Sequence, residues 1–216
     1  TSDTAILNVE ITEPSDFFLT VGKDTTIGGC NPLQLNALVS EEPGVTYTYL
    51  WSPAIALNNP AVPHPVFTPG KTTTFVVTVN SSNGGTATDS LRVTVSPVFA
   101  DAGSDVIMPH GSTTLLDGNK STGSALTFSW TTTSGKIESG ANTATPVVSG
   151  FGDYYLLVTD EFGCADRDTV NITRLAHAPV AFDDYDTTAY QREVVIDVLT
   201  NDTDAENSIN PASLII

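Results

Sequence analysis

The chain has 216 residues, a net charge of −17 and only eight Lys and Arg residues. A surface this negative repels phosphate backbones, so the composition excludes nucleic acid as a partner, and the lack of any run of 18 apolar residues predicts no membrane insertion in this segment. Hydrophobic residues make up 40% of the chain, which is enough for packed cores and is not typical of a disordered linker.

The first predicted element is a strand at residues 5–12. It is followed by Glu13-Pro14, and the pattern resembles residues 91–96 followed by Pro97. Because residues 91–96 read as the last strand of a repeat, we expect residues 1–14 to hold the last strand of a preceding domain.

A repeat of about 79 residues comes next. Trp51 and Trp130 are 79 residues apart, and the same offset carries residues 75–79 onto residues 154–158. Upstream of each Trp the offset becomes 81, because of a two-residue insertion in the loop before the Trp strand. An internal repeat of this size predicts one fold used twice.

Each repeat has the pattern of a β-sandwich. Residues 46–51 and 125–130 alternate in polarity as strands with one buried face do, which directs each Trp into a core. Residues 83–85, Asn-Gly-Gly, read as a tight hairpin turn between two strands. We therefore predict complete domains at 15–97 and 98–176, with a different segment at 177–216.

Several stretches resemble a known family. ADAGSD at 100–105, LLDGNKSTGSALTFSW at 115–130, GANTATPVVS at 140–149 and YYLLVTDEFGCADRDTVNIT at 154–173 resemble PKD-type immunoglobulin-like domains of bacterial surface proteins. NNPAVPHPVFTPGKTTTFVVTV at 58–79 is similar to the PKD-like repeats of large surface proteins secreted by Bacteroidota. The family's W-D-F-G-D-G turn is absent. The resemblance implies an all-β fold of tandem immunoglobulin-like β-sandwich domains in a linear array, exported by the type IX secretion system.

The last segment resembles a second family. APVAFDDYDTT at 178–188 and VVIDVLTNDTDAE at 194–206 are similar to the cadherin-like tandem repeats of bacterial adhesins, so residues 177–216 read as the beginning of such a domain. Proteins that combine these modules are giant adhesins, gliding-motility adhesins or multimodular exported enzymes.

Calcium is the best candidate ligand in the sequence, because hard cations take oxygen ligands from carboxylates and carbonyls. In cadherin-like modules such acids often bind calcium at domain junctions, and the alternative is a solvated acidic surface. The candidate metal ligands are Asp183, Asp184, Asp186, Asp202 and Asp204.

Catalytic motifs are missing from the sequence, so we expect no enzyme in this segment. His64, His110 and His177 lie in Pro-flanked loops or a linker, and none is placed against a Ser or Cys with a supporting carboxylate. Asp101 and Asp105 read as a polar turn where a domain begins.

The two cysteines do not occupy equivalent positions. Cys30 aligns with Gly111 and Cys164 aligns with Gly85, so each repeat holds one cysteine. Related repeats often carry Cys at both places, which would allow pairing within a domain. With one cysteine in each repeat, we predict no internal bridge and two unpaired thiols.

A short pattern recurs at strand starts and turns, in which Asp is followed by Ser or Thr. It resembles the O-glycosylation acceptor motif of Bacteroidota, and the alternative is that Thr-rich strands produce it by chance. The candidate glycosylation sites are Thr4, Thr25, Ser90, Thr169 and Thr187.

The predicted function is structural: a stalk or filament segment of a large secreted cell-surface adhesin, for surface attachment or gliding motility. Its partners would be the neighbouring domains of the same chain, with surface polysaccharide or other cell-surface proteins as further partners. The alternative is a polysaccharide-binding accessory module of a multimodular exported enzyme. Exposed, coplanar Tyr47, Tyr49 and Tyr185 would favour that alternative.

Overall fold

The structure, a computed structural model, describes residues 17–204. The segment predicted at 1–14 therefore lies outside the described residues, as do residues 205–216. Within the described part the chain forms fifteen strands and no helix, and accordingly none that is long and apolar enough to cross a membrane.

The chain divides into two compact units. The first comprises Thr1–Ala100 with Ser121–Phe128 and Leu157–Arg167, and the second comprises Asp101–Lys120, Ser129–Leu156 and Asp168–Ile216. The domain limits predicted from the repeat, 15–97 and 98–176, stay a prediction.

The first repeat contributes eight strands, all within the first unit. They are β1 (Leu19–Thr20), β2 (Thr25–Gly28), β3 (Leu33–Gln34), β4 (Leu38–Val39), β5 (Tyr47–Ser52), β6 (Val66–Phe67), β7 (Thr73–Ser81) and β8 (Thr86–Ser96). Four of them form a sheet in the order β2-β8-β7-β5, while β1 pairs with β4 and β3 pairs with β6.

The core of this unit takes side chains from the four-stranded sheet and from the two short sheets, as in a sandwich. Strand β7 shows the reason, because Phe75, Val77 and Val79 alternate with polar or exposed residues and are fully buried. Trp51 is 1% exposed, and its indole N–H donates to the carbonyl oxygen of Val62 at 3.0 Å. Phe67 and Phe75 pack edge to face with ring centroids 5.1 Å apart.

The remaining strands come from the second repeat. They are β9 (Val106–Met108), β10 (Thr113–Leu115), β11 (Thr127–Thr132), β12 (Lys136–Ser139), β13 (Val147–Ser149), β14 (Gly152–Thr159) and β15 (Ala165–Arg174). One sheet has the order β11-β14-β15-β9 and another the order β10-β13-β12. Strand β12 has no counterpart in the first repeat.

The two repeats make the same hydrogen bonds at equivalent positions. The backbone N–H of Trp51 donates to Pro60, and that of Trp130 donates to Ala141, at 2.9 and 2.8 Å. The indole N–H of Trp130 donates to Thr143 at 3.0 Å, as that of Trp51 does to Val62.

The strands and sheets of the two repeats confirm the prediction of an all-β chain of tandem immunoglobulin-like sandwiches.

Both repeats also bring an early strand alongside the last one. Strand β2 pairs with β8 in parallel, with Thr25 opposite Val93. Strand β9 pairs with β15 in parallel, with Val106 opposite Ile172. Each short strand thereby becomes the edge of a four-stranded sheet.

Residues 177–204 differ from the two repeats in having little regular structure. Their one described ladder contact is an isolated antiparallel bridge between Val180 and Thr203. Most side chains of this segment are exposed, including Tyr185 and Tyr190. The prediction that residues 177–216 begin a cadherin-like domain stays a prediction.

Candidate functional site

A disulfide joins Cys30 and Cys164, and it corrects the expectation of two unpaired thiols. The two residues are 134 positions apart, and their Cα atoms lie 5.6 Å from each other. Both belong to the first compact unit. The expectation was wrong because it considered pairing only within a repeat. The sequence supplies one half of the bridge from the loop after β2 and the other half from the turn between β14 and β15.

The backbone around the bridge is closely packed. A Cβ atom built on Gly28 would lie 2.6 Å from Cys164 Sγ and 2.7 Å from Phe162 Cβ, so only glycine fits at this position. The side-chain amide of Asn31 donates to the carbonyl oxygen of Phe162 at 2.8 Å. The backbone N–H of Cys30 points at the Sγ of Cys164, 3.1 Å away.

The Asp residues of the Asp-Ser/Thr pattern hold the backbone at equivalent places. Asp89 accepts from the N–H of Val21 at 3.0 Å and from Ser90 at 2.7 Å. Asp168 accepts from the N–H of Ala102 at 2.7 Å and from its own neighbour Thr169 at 2.8 Å. These contacts give the pattern a structural role that does not depend on a sugar.

The candidate glycosylation sites differ in accessibility. Ser90, Thr169 and Thr187 are exposed, Thr25 is half-buried at the start of β2, and Thr4 lies outside the described residues. Exposure of a hydroxyl does not show whether a sugar is attached to it, so glycosylation at these sites stays a prediction.

The candidate calcium ligands lie in two loops that the bridge between Val180 and Thr203 brings together. Asp202 accepts from the N–H of Phe182 at 2.8 Å, and the side-chain amide of Asn201 donates to the backbone oxygen of Asp183 at 3.2 Å. The remaining members are Asp184, Asp186 and Asp204.

Two of these carboxylates accept hydrogen bonds within their own loop. Asp183 accepts from the Tyr185 hydroxyl at 3.0 Å, and Asp186 accepts from the N–H of Thr187 at 2.6 Å. Among residues 17–204 no group of three or more His, Cys, Asp or Glu side chains is arranged to hold a metal ion. Calcium binding stays a prediction.

The histidines considered for catalysis are exposed. This holds for His64, His110 and His177, and the ring of His110 lies 6.1 Å from that of Phe151. Asp101 accepts from the N–H of Gly103 at 2.9 Å, and Asp105 accepts from the N–H of Asn171 at 2.9 Å. The last contact ties the segment before β9 to β15, so Asp105 has a structural role.

The three tyrosines considered for sugar binding do not share an environment. Tyr47 and Tyr49 are half-buried and pack against the first core, where the Tyr47 ring meets Phe17 edge to face at 5.1 Å. Tyr185 is 86% exposed. Burial, with Glu41 and Tyr47 nearby, raises the pKa of the Tyr49 hydroxyl.

An apolar pocket of about 280 Å³ opens on the first unit. It is lined by Ile55, Ala56, Phe67, Gly70, Lys71 and Thr73. Ile55 is 70% exposed beside it. The pocket contains one cationic side chain and no carboxylate among its lining residues.

Two carboxyl groups of the second unit, those of Glu138 and Asp117, have a lowered pKa. The Lys136 ammonium at 2.6 Å and the Ser149 hydroxyl hold the pKa of Glu138 below its usual value. The backbone N–H and side-chain amide of Asn119 lower the pKa of Asp117. In both cases the hydrogen bonds stabilise the charged carboxylate, and the lowered pKa is the result. Such contacts are typical of structural ion pairs and turns.

Comparisons with known proteins give structural likenesses only. No protein-family model matches the sequence, and no curated protein matches it significantly. The crystal structure of DIP-gamma IG1+IG2 has 10% identity and a TM-score of 0.47, covering 76% of this chain and 100% of that chain. A three-immunoglobulin-domain fragment of titin has 10% identity and a TM-score of 0.41, covering 77% and 68%. The insect immune protein hemolin has 16% identity and a TM-score of 0.41, covering 72% and 46%.

Proposed function

We propose that this chain is a structural stalk segment of a large secreted cell-surface adhesin. It would project an adhesive or enzymatic part from the cell, for surface attachment or gliding motility. The observation that carries the proposal is the repetition of one sandwich with the same internal hydrogen bonds, at Trp51 and Trp130 and at Asp89 and Asp168. Successive units of one design are how repeat proteins gain length.

The bridge between Cys30 and Cys164 supports export. Structural disulfides persist in oxidising compartments and are rare in the cytosol. The charge of −17 agrees with a domain that stays soluble outside the cell. The resemblance to PKD-like and cadherin-like repeats points further, to a Bacteroidota surface adhesin exported by the type IX secretion system.

The alternative is a polysaccharide-binding accessory module of an exported enzyme. Sugar platforms use exposed aromatic faces, and Tyr47 and Tyr49 are instead half-buried against the core. Tyr185 and Tyr190 are exposed and keep this alternative open. We favour the structural role because the features that the two repeats share are hydrogen bonds internal to each repeat, such as those of Trp51 and Trp130.

A replacement experiment in the source organism separates the two roles. Residues 15–176 are deleted from the parent gene or replaced by two unrelated immunoglobulin-like domains of similar length. If the segment is a stalk, deletion reduces attachment or gliding, and the unrelated domains restore it. Restoration by the native sequence alone would show a specific binding role and contradict the stalk proposal. Labelling of intact cells with an antibody against this segment checks the proposed location.

Calcium and glycans are proposed additions to the stalk. Calcium at the loops of Asp183 and Asp202 would cancel the repulsion between carboxylates and stiffen residues 177–204. Melting temperatures with calcium and with chelator check this, and identical values would contradict it. Intact-mass spectrometry of native material checks for sugars, and the bare peptide mass would contradict glycosylation at all the candidate sites.

A further inference from the structure

The disulfide divides the covalent chain into one closed loop and two tails. Residues 31–163 lie inside the loop, because Cys30 and Cys164 close it. The loop contains every strand from β3 to β14, and both buried tryptophans, Trp51 and Trp130. The tails contain β1, β2 and β15 among the described strands.

We propose that this bridge is a mechanical bypass. Tension applied to the two ends of the chain passes from Cys30 through the disulfide to Cys164, so it does not run along the backbone between them. The loop cannot be drawn out unless the bridge is first broken, because its two ends stay covalently joined. The proposal deepens the stalk role and rests on it only for the origin of the tension.

The bypass places the load on particular strands. Strand β2 lies on the tensioned path and ends two residues before Cys30, and it is bound at its side to β8 over four register pairs from Thr25 to Gly28. Strand β15 begins immediately after Cys164 and lies between β14 and β9 in its sheet. The antiparallel strands β5 and β7, which supply much of the first core, are off the tensioned path.

The bridge is accessible to a test by reduction. Cys164 is 2% exposed, but Cys30 is exposed, and a small pocket of about 220 Å³ lined by Gly29, Cys30, Pro97 and Val98 opens beside it. A small thiol reagent can therefore approach from the Cys30 side.

Single-molecule pulling of the full 216-residue chain by its two ends tests the proposal. The oxidised chain is compared with the same chain in a reducing buffer and with the double variant Cys30→Ser, Cys164→Ser. The cysteines are 134 positions apart in the sequence, so the locked length is about 440–480 Å, since an extended residue spans at most ~3.3–3.6 Å. We expect this extension to be missing from the oxidised chain and to appear in both other samples.

The pulling experiment can contradict the bypass in two ways. Release of the full length by the oxidised chain, or free thiols in the untreated protein, would overturn the bypass. The reduced wild-type chain is the control for a folding defect in the double variant. It lacks the disulfide but has the native sequence, so it carries no substitution that could disturb folding. The measurement is independent of attachment or gliding, so failure of the stalk proposal in cells would leave it intact, and failure of the bypass would leave the stalk proposal to its own experiment.

Discussion

The Asp89 carboxylate accepts a hydrogen bond from the backbone N–H of Val21, 68 residues earlier in the chain, at 3.0 Å. The equivalent Asp168 accepts from Ala102 at 2.7 Å. Val21 and Ala102 are both buried. A buried N–H needs an acceptor, so each carboxylate fixes the first segment of its repeat against the last strand.

Replacing Asp89 by Ala should therefore destabilise the first unit. Hydrogen bonds to charged groups contribute about 1.5–3 kcal/mol, and the change leaves the buried N–H of Val21 without this acceptor. The matched control is Asp186→Ala, since Asp186 has the same pattern of Asp followed by Ser or Thr, and the bond shown for it is to the N–H of its own neighbour Thr187. Urea denaturation followed by circular dichroism measures both. Equal losses in the two variants would contradict the role assigned to Asp89.

Replacing Gly28 by Ala should prevent the bridge between Cys30 and Cys164 from closing. The added Cβ would meet Cys164 Sγ at 2.6 Å and Phe162 Cβ at 2.7 Å, which are closer than real Cβ contacts. The control is Gly70→Ala, because a Cβ on Gly70 meets nothing within 4 Å. Thiol titration of the denatured proteins checks the result. The prediction fails if the Gly28 variant forms its disulfide as completely as the Gly70 variant.

Replacing Trp51 by Ala should cost about 3–5 kcal/mol of stability, through the cavity it leaves in the core. Its neighbour Leu50 is 60% exposed on the opposite face of β5. Leu50→Ala is thus a control on the same strand, with an expected change within about 0.5 kcal/mol. Chemical denaturation of both variants distinguishes core from surface, and similar midpoints would contradict the burial of Trp51.

Tyr154 should make the second unit sensitive to alkali. Burial raises the pKa of its hydroxyl, which accepts from the N–H of Lys136 at 3.1 Å and donates to the backbone oxygen of Ser149. The folded state therefore favours the neutral phenol. Its contribution is fully present below the unfolded pKa near 10 and is lost as pH rises through the higher folded pKa.

The Tyr154→Phe variant tests this pH dependence. It should lose about 1 kcal/mol at neutral pH with the hydrogen bonds, and it should then lose less stability than the wild type on going to alkaline pH. Tyr49, whose pKa is also raised, remains in the variant, so we expect a smaller loss and not a flat profile. Urea midpoints measured at a series of alkaline pH values check it. Parallel curves for the two proteins would be the contrary result.

Many strands and turns of the fold could be predicted, because each is determined by the pattern of residues in one short stretch of sequence. Alternation at 46–51 predicted the strand that the structure places at Tyr47–Ser52, and Asn-Gly-Gly at 83–85 predicted the turn between β7 and β8. The buried tryptophans follow from the same periodicity. These features depend on neighbouring residues, which a sequence displays directly.

The bridge and the parallel strand pairs could not be predicted in this way. Cys30 and Cys164 meet because a loop and a turn from different repeats approach each other, and no local pattern encodes that approach. The pairing of β2 with β8 likewise joins segments 68 residues apart. Calcium binding by the acids of residues 183–204 stays a prediction for a related reason. A carboxylate pattern does not distinguish a cation ligand from an acceptor for a nearby N–H, as Asp202 is for Phe182.

The presence of only two cysteines has a consequence for oxidative refolding. A protein with four cysteines can form three complete pairings, whereas two cysteines within one molecule have a single pairing. As an oxidised monomer, the 216-residue chain therefore has one disulfide isomer, and scrambled monomers of it cannot accumulate. Incorrect oxidation can occur only between molecules, so dilution during refolding should be enough to direct the thiols to each other.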